Sequence, residues 1–308
     1  MLKRIKSYMM PIAMSVGVAF HNYASMMSFL TPYLIFIMLL ITYCSISLKD
    51  IRFTRLHLWL ILIQTLGSIV VYLLLYPLHP LIAQGAMICI FAPTATSAPV
   101  ITGMLGGNVE RLTAYSLLSN MIVVILAPII FSFTGEIDSA SFSHSLWIVF
   151  QKVFLLLFLP FFGALILQKF LPRVHYEIQK AKSLSFYLWS IALVIITGKT
   201  VQFILDHAET YEVTWNIDQE SPNYIVEVSI AIIALILCVC QFTVGRRIGS
   251  IYNDTIAGGQ GLGQKNTILA IWMAQTYLNP ISSIGPGAYV LWQNIVNSYQ
   301  VWRNRSNI

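Results

Sequence analysis

The chain has 308 residues, 57% of them hydrophobic and only 10% charged, against roughly 25% charged in an ordinary soluble protein. A water-soluble fold of this length cannot hide so much apolar surface, so the expectation is an integral membrane protein whose partner is the lipid bilayer. The formal net charge of +6 does not describe a nucleic-acid surface, because the basic residues stand singly between apolar runs, and nucleic acid is excluded as a partner.

A hydrocarbon core of about 30 Å takes roughly 20 apolar residues per helix. On that count the sequence predicts ten spans, at 8–29, 32–48, 57–76, 80–105, 111–134, 145–168, 183–205, 222–244, 249–278 and 284–302. The first follows a basic start, MLKRIK, like a signal peptide. No small-residue cleavage site comes after it, so it is read as a retained span.

The loops then separate by charge. With the N-terminus inside, the inner ends hold Lys3, Arg4, Lys6, Lys49, Arg52, Arg55, Arg111, Lys169, Arg173, Lys180, Lys182, Arg246, Arg247, Arg303 and Arg305. The outer loops hold acids instead: Glu136, Asp138, Asp206, Glu209, Glu212, Asp218 and Glu220. This asymmetry predicts a multi-pass protein of the cell membrane with both termini cytoplasmic.

Two of the ten segments do not read as plain helices. Residues 80–105 contain FAPTATSAPVITGMLGG, with Pro93 and Pro99 in mid-span, and residues 249–278 contain GGQGLGQKN at 258–266. Four glycines in six residues, Gly258, Gly259, Gly261 and Gly263, predict that the helix opens within the cluster. Each interrupted segment is the fourth of its group of five. Five spans per half give the halves opposite topology, which predicts two inverted repeats, 1–135 and 136–308. Interrupted segments at matching places in such repeats point to a transporter's binding site. Either segment alone would read as an ordinary kinked helix.

Enzyme chemistry is not expected. The six histidines lie in loops or near segment ends without metal-ligand spacing, and the four cysteines lie in apolar runs. GLGQKN lacks the residue order of a phosphate loop, whose lysine directly follows glycine. No cofactor and no metal site is called for.

PTATSAPVIT (93–102) resembles the broken fourth helix of the bile acid:sodium symporter family, and GQKNTILA (263–270) resembles its ninth-helix motif. GPGAYVLWQNIVNSY (285–299) is similar to its last helix, and 38–51 and 153–166 to its second and sixth. The resemblance implies an all-α membrane fold with a panel domain and a core domain, the broken helices 4 and 9 crossing in the core. It also implies carriage of an amphipathic or small organic anion with sodium. Related branches move arsenite, auxin and protons, so the substrate does not follow from the fold.

The ion sites implied by the resemblance are only partly present. Gln64 matches a glutamine ligand and Ser116 one hydroxyl, while Leu112 stands where the other would be. The family's Ser-Asn pair falls on Ala98 and Pro99, its glutamate on Gly261, and its ninth-helix glutamine on Lys265. A one-residue slip would match Gln264 to that glutamine but would put Asn266 out of register. By the same match Thr96, Asn266, Gln293 and Asn294 line the substrate path.

A hard cation wants several oxygen ligands, preferably with a carboxylate. With the glutamate and the Ser-Asn pair gone and a lysine added, sodium coupling is not expected. Lys265 lies too deep to snorkel to the interface, where a charge costs about 3 kcal/mol on insertion scales and marks a pathway or a pair. The expectation is that Lys265 replaces one sodium electrostatically, its ammonium beside Gln64 and the carbonyls of the break. Desolvation disfavours a partnerless ammonium, so proton coupling through Lys265 is a second expectation. The half-helix N-termini at the breaks suit an anion. A sodium-independent facilitator, a channel or a substrate-binding sensor on the same fold are the alternatives.

Overall fold

The structure, a computed structural model, describes residues 12–45, 53–95, 97–134, 142–213 and 224–305. Lys3, Arg4, Lys6, Lys49 and Arg52 of the inner ends, Glu136, Asp138, Asp218 and Glu220 of the outer loops, and Thr96 lie outside these residues. Everything regular among them is helical, apart from one isolated antiparallel bridge between Thr94 and Lys265.

A helical turn at 12–19 leads to α1 (His21–Met26), α2 (Thr31–Cys44), α3 (Arg55–Leu75), α4 (Pro80–Phe91), α5 (Ala98–Met104) and α6 (Val109–Thr134). The second part of the chain gives α7 (Phe142–Phe170), α8 (Pro172–Lys180), α9 (Lys182–Val213), α10 (Tyr224–Ile251), α11 (Thr255–Gly263), α12 (Thr267–Tyr277) and α13 (Ile284–Arg305). Among the described residues four helical runs are long and apolar enough to cross a membrane: His21–Cys44, Arg55–Leu75, Val109–Thr134 and Tyr224–Ile251. This is an all-α membrane architecture. The run His21–Cys44 passes through the boundary expected between the first two spans at 29–32; only a 3-10 turn, Met27–Leu30, lies there, with Pro32 in the first turn of α2.

Proline sets several starts, since its missing N–H costs nothing in a first turn. Pro80 opens α4, Pro99 lies in the first turn of α5 and Pro172 opens α8. The prolines of the fourth segment thus fall where a helix begins or where the chain is already extended.

The described residues divide into two compact units. One is drawn from Met1–Ser45 and Leu159–Glu227, the other from Ile46–Phe158 and Val228–Ile308. In the first unit α9 lies against α1 and α2. The approach is close, because a Cβ on Gly17 would stand 2.7 Å from the Val194 carbonyl oxygen and one on Gly198 would meet Ala24. In the second unit α3 lies along α4, and α11 is held by α6, α5 and α3.

The glycine cluster does not open the helix. α11 runs unbroken through Gly263, and the break falls at Gln264–Asn266. The glycines answer to crowding instead. A Cβ on Gly258 would meet the Gly245 carbonyl and stand 2.7 Å from Gly249 Cα, and one on Gly259 would lie 2.6 Å from Arg246 Cγ. At Gly261 it would lie 2.9 Å from the Tyr115 ring, and at Gly263 it would run into the Phe242 ring. Small residues let membrane helices touch backbone to backbone, as α11 and α10 do at Gly258, while side chains take up the space at Gly259, Gly261 and Gly263.

Candidate functional site: the crossing of two broken helices

α4 begins with His79, whose Nδ1 accepts the Leu81 N–H at 3.2 Å, and it ends at Phe91. Ala92, at φ −47° and ψ 138°, turns the chain out of the helix. On the other side Gln264 becomes extended at φ −99° and ψ 105°, and Asn266 starts α12 by accepting the Leu269 N–H at 3.3 Å. The two extended pieces then serve each other. The Ala95 N–H donates to the Gln264 carbonyl at 3.0 Å, and the Asn266 N–H to the Pro93 carbonyl at 2.8 Å. Irregular backbone at membrane depth is tolerated only when its polar groups are satisfied by protein or a cavity, and here protein supplies the partners.

A helix end also leaves carbonyls without intrahelical donors. At the end of α4 side chains from two other helices, α3 and α10, and from the second break take them up. Gln241 Nε2 donates to the Cys89 carbonyl at 3.2 Å, and Lys265 Nζ to the Ile90 carbonyl at 2.7 Å. Gln64 Nε2 donates to the Phe91 carbonyl at 2.9 Å and reaches that of Ala92 at 3.4 Å. The Gln64 Oε1 is also engaged, accepting from the Tyr115 hydroxyl at 2.9 Å and from Ser119 Oγ at 2.8 Å. Ser119 Oγ in turn accepts the Thr94 N–H at 3.2 Å.

The end of α11 is treated alike. Thr94 Oγ1 donates to the Gly261 carbonyl and the Tyr289 hydroxyl to that of Gly263, both at 2.9 Å. Gln293 clamps the Lys265 peptide from both sides, its Oε1 accepting the N–H at 2.8 Å and its Nε2 donating to the carbonyl at 3.3 Å.

Lys265 is 1% exposed. The ion pairs among the described residues are Arg111 with Asp254 and Lys180 with Glu177, so no carboxylate balances the Lys265 ammonium there. What faces it is the C-terminal end of α4, where the summed peptide dipoles leave partial negative charge. The ammonium therefore lies at the carbonyls of the break, one residue from the carbonyl that Gln64 holds.

Of the positions singled out in the sequence, Gln64, Gly261, Lys265 and Gln293 meet at the crossing. Gln264 Nε2 donates to Ser97 Oγ at 3.0 Å, while its Oε1 is buried without a partner. Ala98 and Leu112 belong to one apolar cluster with Leu56, Leu60, Ile61, Tyr115, Ala257 and Leu262. Gly261, where the resemblance places a carboxylate, faces Tyr115 and Leu60 of that cluster. Pro99 is half-buried in the first turn of α5, and Ser116 is buried in α6. Asn294 Nδ2 donates to its own helix at Val290, 2.6 Å away. Thr96 lies outside the described residues.

Five further residues of the crossing were not singled out: Thr94, Tyr115, Ser119, Gln241 and Tyr289. Their signal was there. Each is a polar or hydroxyl-bearing side chain inside an apolar run, and such a group within a membrane needs a partner.

The SBF-like CPA transporter family is matched by residues 8–291 of the chain. The chain belongs to that family of membrane transporters, as its likeness to the bile acid:sodium symporters implied. No curated protein matches it.

Proposed function

We propose that the chain is a secondary active transporter of an organic anion, bile-salt-like or a small carboxylate, which works by alternating access without sodium. The observation that carries this reading is the set of donors at the end of α4. A sodium ion would need several free oxygens, by the logic that governs other hard cations. The carbonyls of Cys89, Ile90, Phe91 and Ala92 already accept from Gln241, Lys265 and Gln64. Of the other ion-site equivalents implied by the resemblance, Ala98 and Leu112 belong to the apolar cluster that Gly261 abuts. Lys265 then acts as a built-in cation.

The same reading takes the chain as ten spans in two inverted repeats, 1–135 and 136–308, with both termini cytoplasmic. The two compact units support it, since each draws on both halves of the chain, as a panel and a core domain would. Thr96, Asn266, Gln293 and Asn294 are proposed to face the substrate, with the N-terminus of α12 offering N–H groups to its negative charge.

The test begins with a thermal-shift screen of bile salts and small carboxylates, with and without sodium and at two pH values. The best binder is then followed into proteoliposomes. Uptake should stay within about twofold when potassium replaces sodium at constant pH, and a fall of about tenfold would overturn the reading. Accumulation against a gradient separates a coupled carrier from a facilitator, channel or sensor on the same fold.

Proton coupling is a second reading, favoured by one observation: Lys265 has no carboxylate partner among the described residues. Under it, uptake depends on pH in the native chain and that dependence disappears in Lys265→Met. A variant with an unaltered pH profile removes it.

A further inference from the structure

We infer that α8 is a binding surface for anionic phospholipid headgroups, lying flat at the end of the two long helices it joins. α8 is nine residues, PRVHYEIQK, and none of them is buried. It connects α7, which ends at Phe170, to α9, which opens at Lys182, so the chain places it where two apolar helices end.

Its faces divide three ways. His175, Ile178 and Gln179 are half-buried and form the edge toward the protein, where α8 contacts α2. Beside that edge Val174 is 44% exposed and the preceding Leu171 is 52% exposed. On the far side Arg173, Tyr176, Glu177 and Lys180 share one face by their i, i+3, i+4 and i+7 spacing. Tyr176 lies there with the Lys180 ammonium 4.2 Å from its ring centre.

A helix with an apolar flank and a basic, aromatic face lies in the plane of the membrane interface, its apolar side among the acyl chains. Leu171, Val174 and the 68% exposed Phe170 account for the apolar side. The charge decides which headgroup it meets. Residues 169–182 hold Lys169, Arg173, Lys180 and Lys182 against the single acid Glu177. Glu177 is already taken by Lys180 at 2.9 Å, which leaves the segment with a net excess of cations. A membrane-adjacent cluster of this kind attracts anionic lipid, and Tyr176 is an amphipathic ring suited to headgroup depth. Free phosphate offers the same charge but nothing for Leu171 and Val174 to enter, which is why a lipid is the occupant.

The test uses the full-length protein purified in neutral detergent, with native mass spectrometry reading the retention of phosphatidylglycerol and of phosphatidylcholine of the same chain length. Arg173→Gln/Lys180→Gln should weaken phosphatidylglycerol binding by about tenfold and leave phosphatidylcholine unchanged. Leu171→Ser/Val174→Ser should weaken both lipids. Arg55→Gln/Arg247→Gln, which removes two exposed cations elsewhere, should change neither. Unfolding temperatures in phosphatidylcholine nanodiscs check that each variant is folded. The inference is overturned if the α8 charge variant keeps phosphatidylglycerol as tightly as the native chain. It is equally overturned if the Arg55/Arg247 variant loses it as much, or if inorganic phosphate displaces the lipid. None of these outcomes bears on the transport reading, which concerns the other compact unit.

Discussion

The first break and the second meet around one bridge, and their contacts are reciprocal. Thr94 donates its hydroxyl to Gly261, four residues before Lys265, and Lys265 donates its ammonium to Ile90, four residues before Thr94. The Thr94 N–H goes to Ser119 of α6, the second helix after its break, and the Lys265 N–H to Gln293 of α13, the second after its own. The contacts match and the chemistry does not. At one bridging position a neutral hydroxyl does the work, at the other a cation. A charge is therefore not needed to close a break of this shape. Burying one costs about 3 kcal/mol on insertion scales, and under the proposed function that cost is set against carriage of an anion rather than against closure.

The helices leading into the two breaks also differ. α4 is met by bare backbone at Gly85, where a Cβ on Gly285 of α13 would lie 2.6 Å from the carbonyl oxygen, whereas α11 is met at Gly258 by both Gly245 and Gly249 of α10. The largest expected effect follows from that. Gly258→Ala puts a methyl against the Gly245 carbonyl and Gly249 Cα, neither of which can rotate away. The cost should be about 3 kcal/mol, enough for little folded protein to be recovered. Gly287→Ala in α13 has open space around it, so its yield and melting temperature in detergent should match the native chain. Equal yields for both would mean that α11 is not held by backbone contact.

Next in size is Lys265→Met, which separates stability from activity. It leaves the Ile90 carbonyl without its donor, a loss of about 1–3 kcal/mol, and removes a buried charge of similar cost. The two nearly cancel, so the melting temperature should move by a few degrees at most while uptake of the best-binding anion falls by about tenfold or more. Loss of stability in step with uptake would reduce Lys265 to a structural peg.

How much of this could be read from the chain depends on the kind of signal. The membrane class and the two interrupted segments followed from composition, from Pro93 and Pro99 and from the glycine cluster, because hydropathy and backbone propensity are properties of single positions. The place of the second break did not. Gly258 to Gly263 carry the local mark of an open helix, but their reason is tertiary: Gly245, Arg246, Tyr115 and Phe242 press against them from other helices. Likewise Gln64 was legible as an intramembrane amide, but its partners Tyr115 and Ser119 lie more than 50 residues away. Pairing at that range leaves no trace in local spacing. Gln241 and Tyr289 escaped notice for the same reason.

The smallest effect bears most directly on the difference between the two breaks. Thr94→Val keeps the shape of the side chain and deletes only the hydroxyl that serves Gly261. The Gly261 carbonyl is then left buried without its donor, which costs about 1–2 kcal/mol. The backbone bridge survives, because the bonds from Ala95 to Gln264 and from Asn266 to Pro93 do not involve this side chain. Melting should therefore fall by a few degrees, uptake by no more than about threefold, and the response to sodium not at all. Lys265→Met should show the opposite pattern, with stability kept and uptake lost. If Thr94→Val abolishes uptake as thoroughly, the crossing matters for its geometry alone, and the cation at Lys265 is merely the donor that happens to reach. If each variant instead shows its own pattern, closure and charge are separate functions, held by two residues that the reciprocal bonds of the breaks make counterparts.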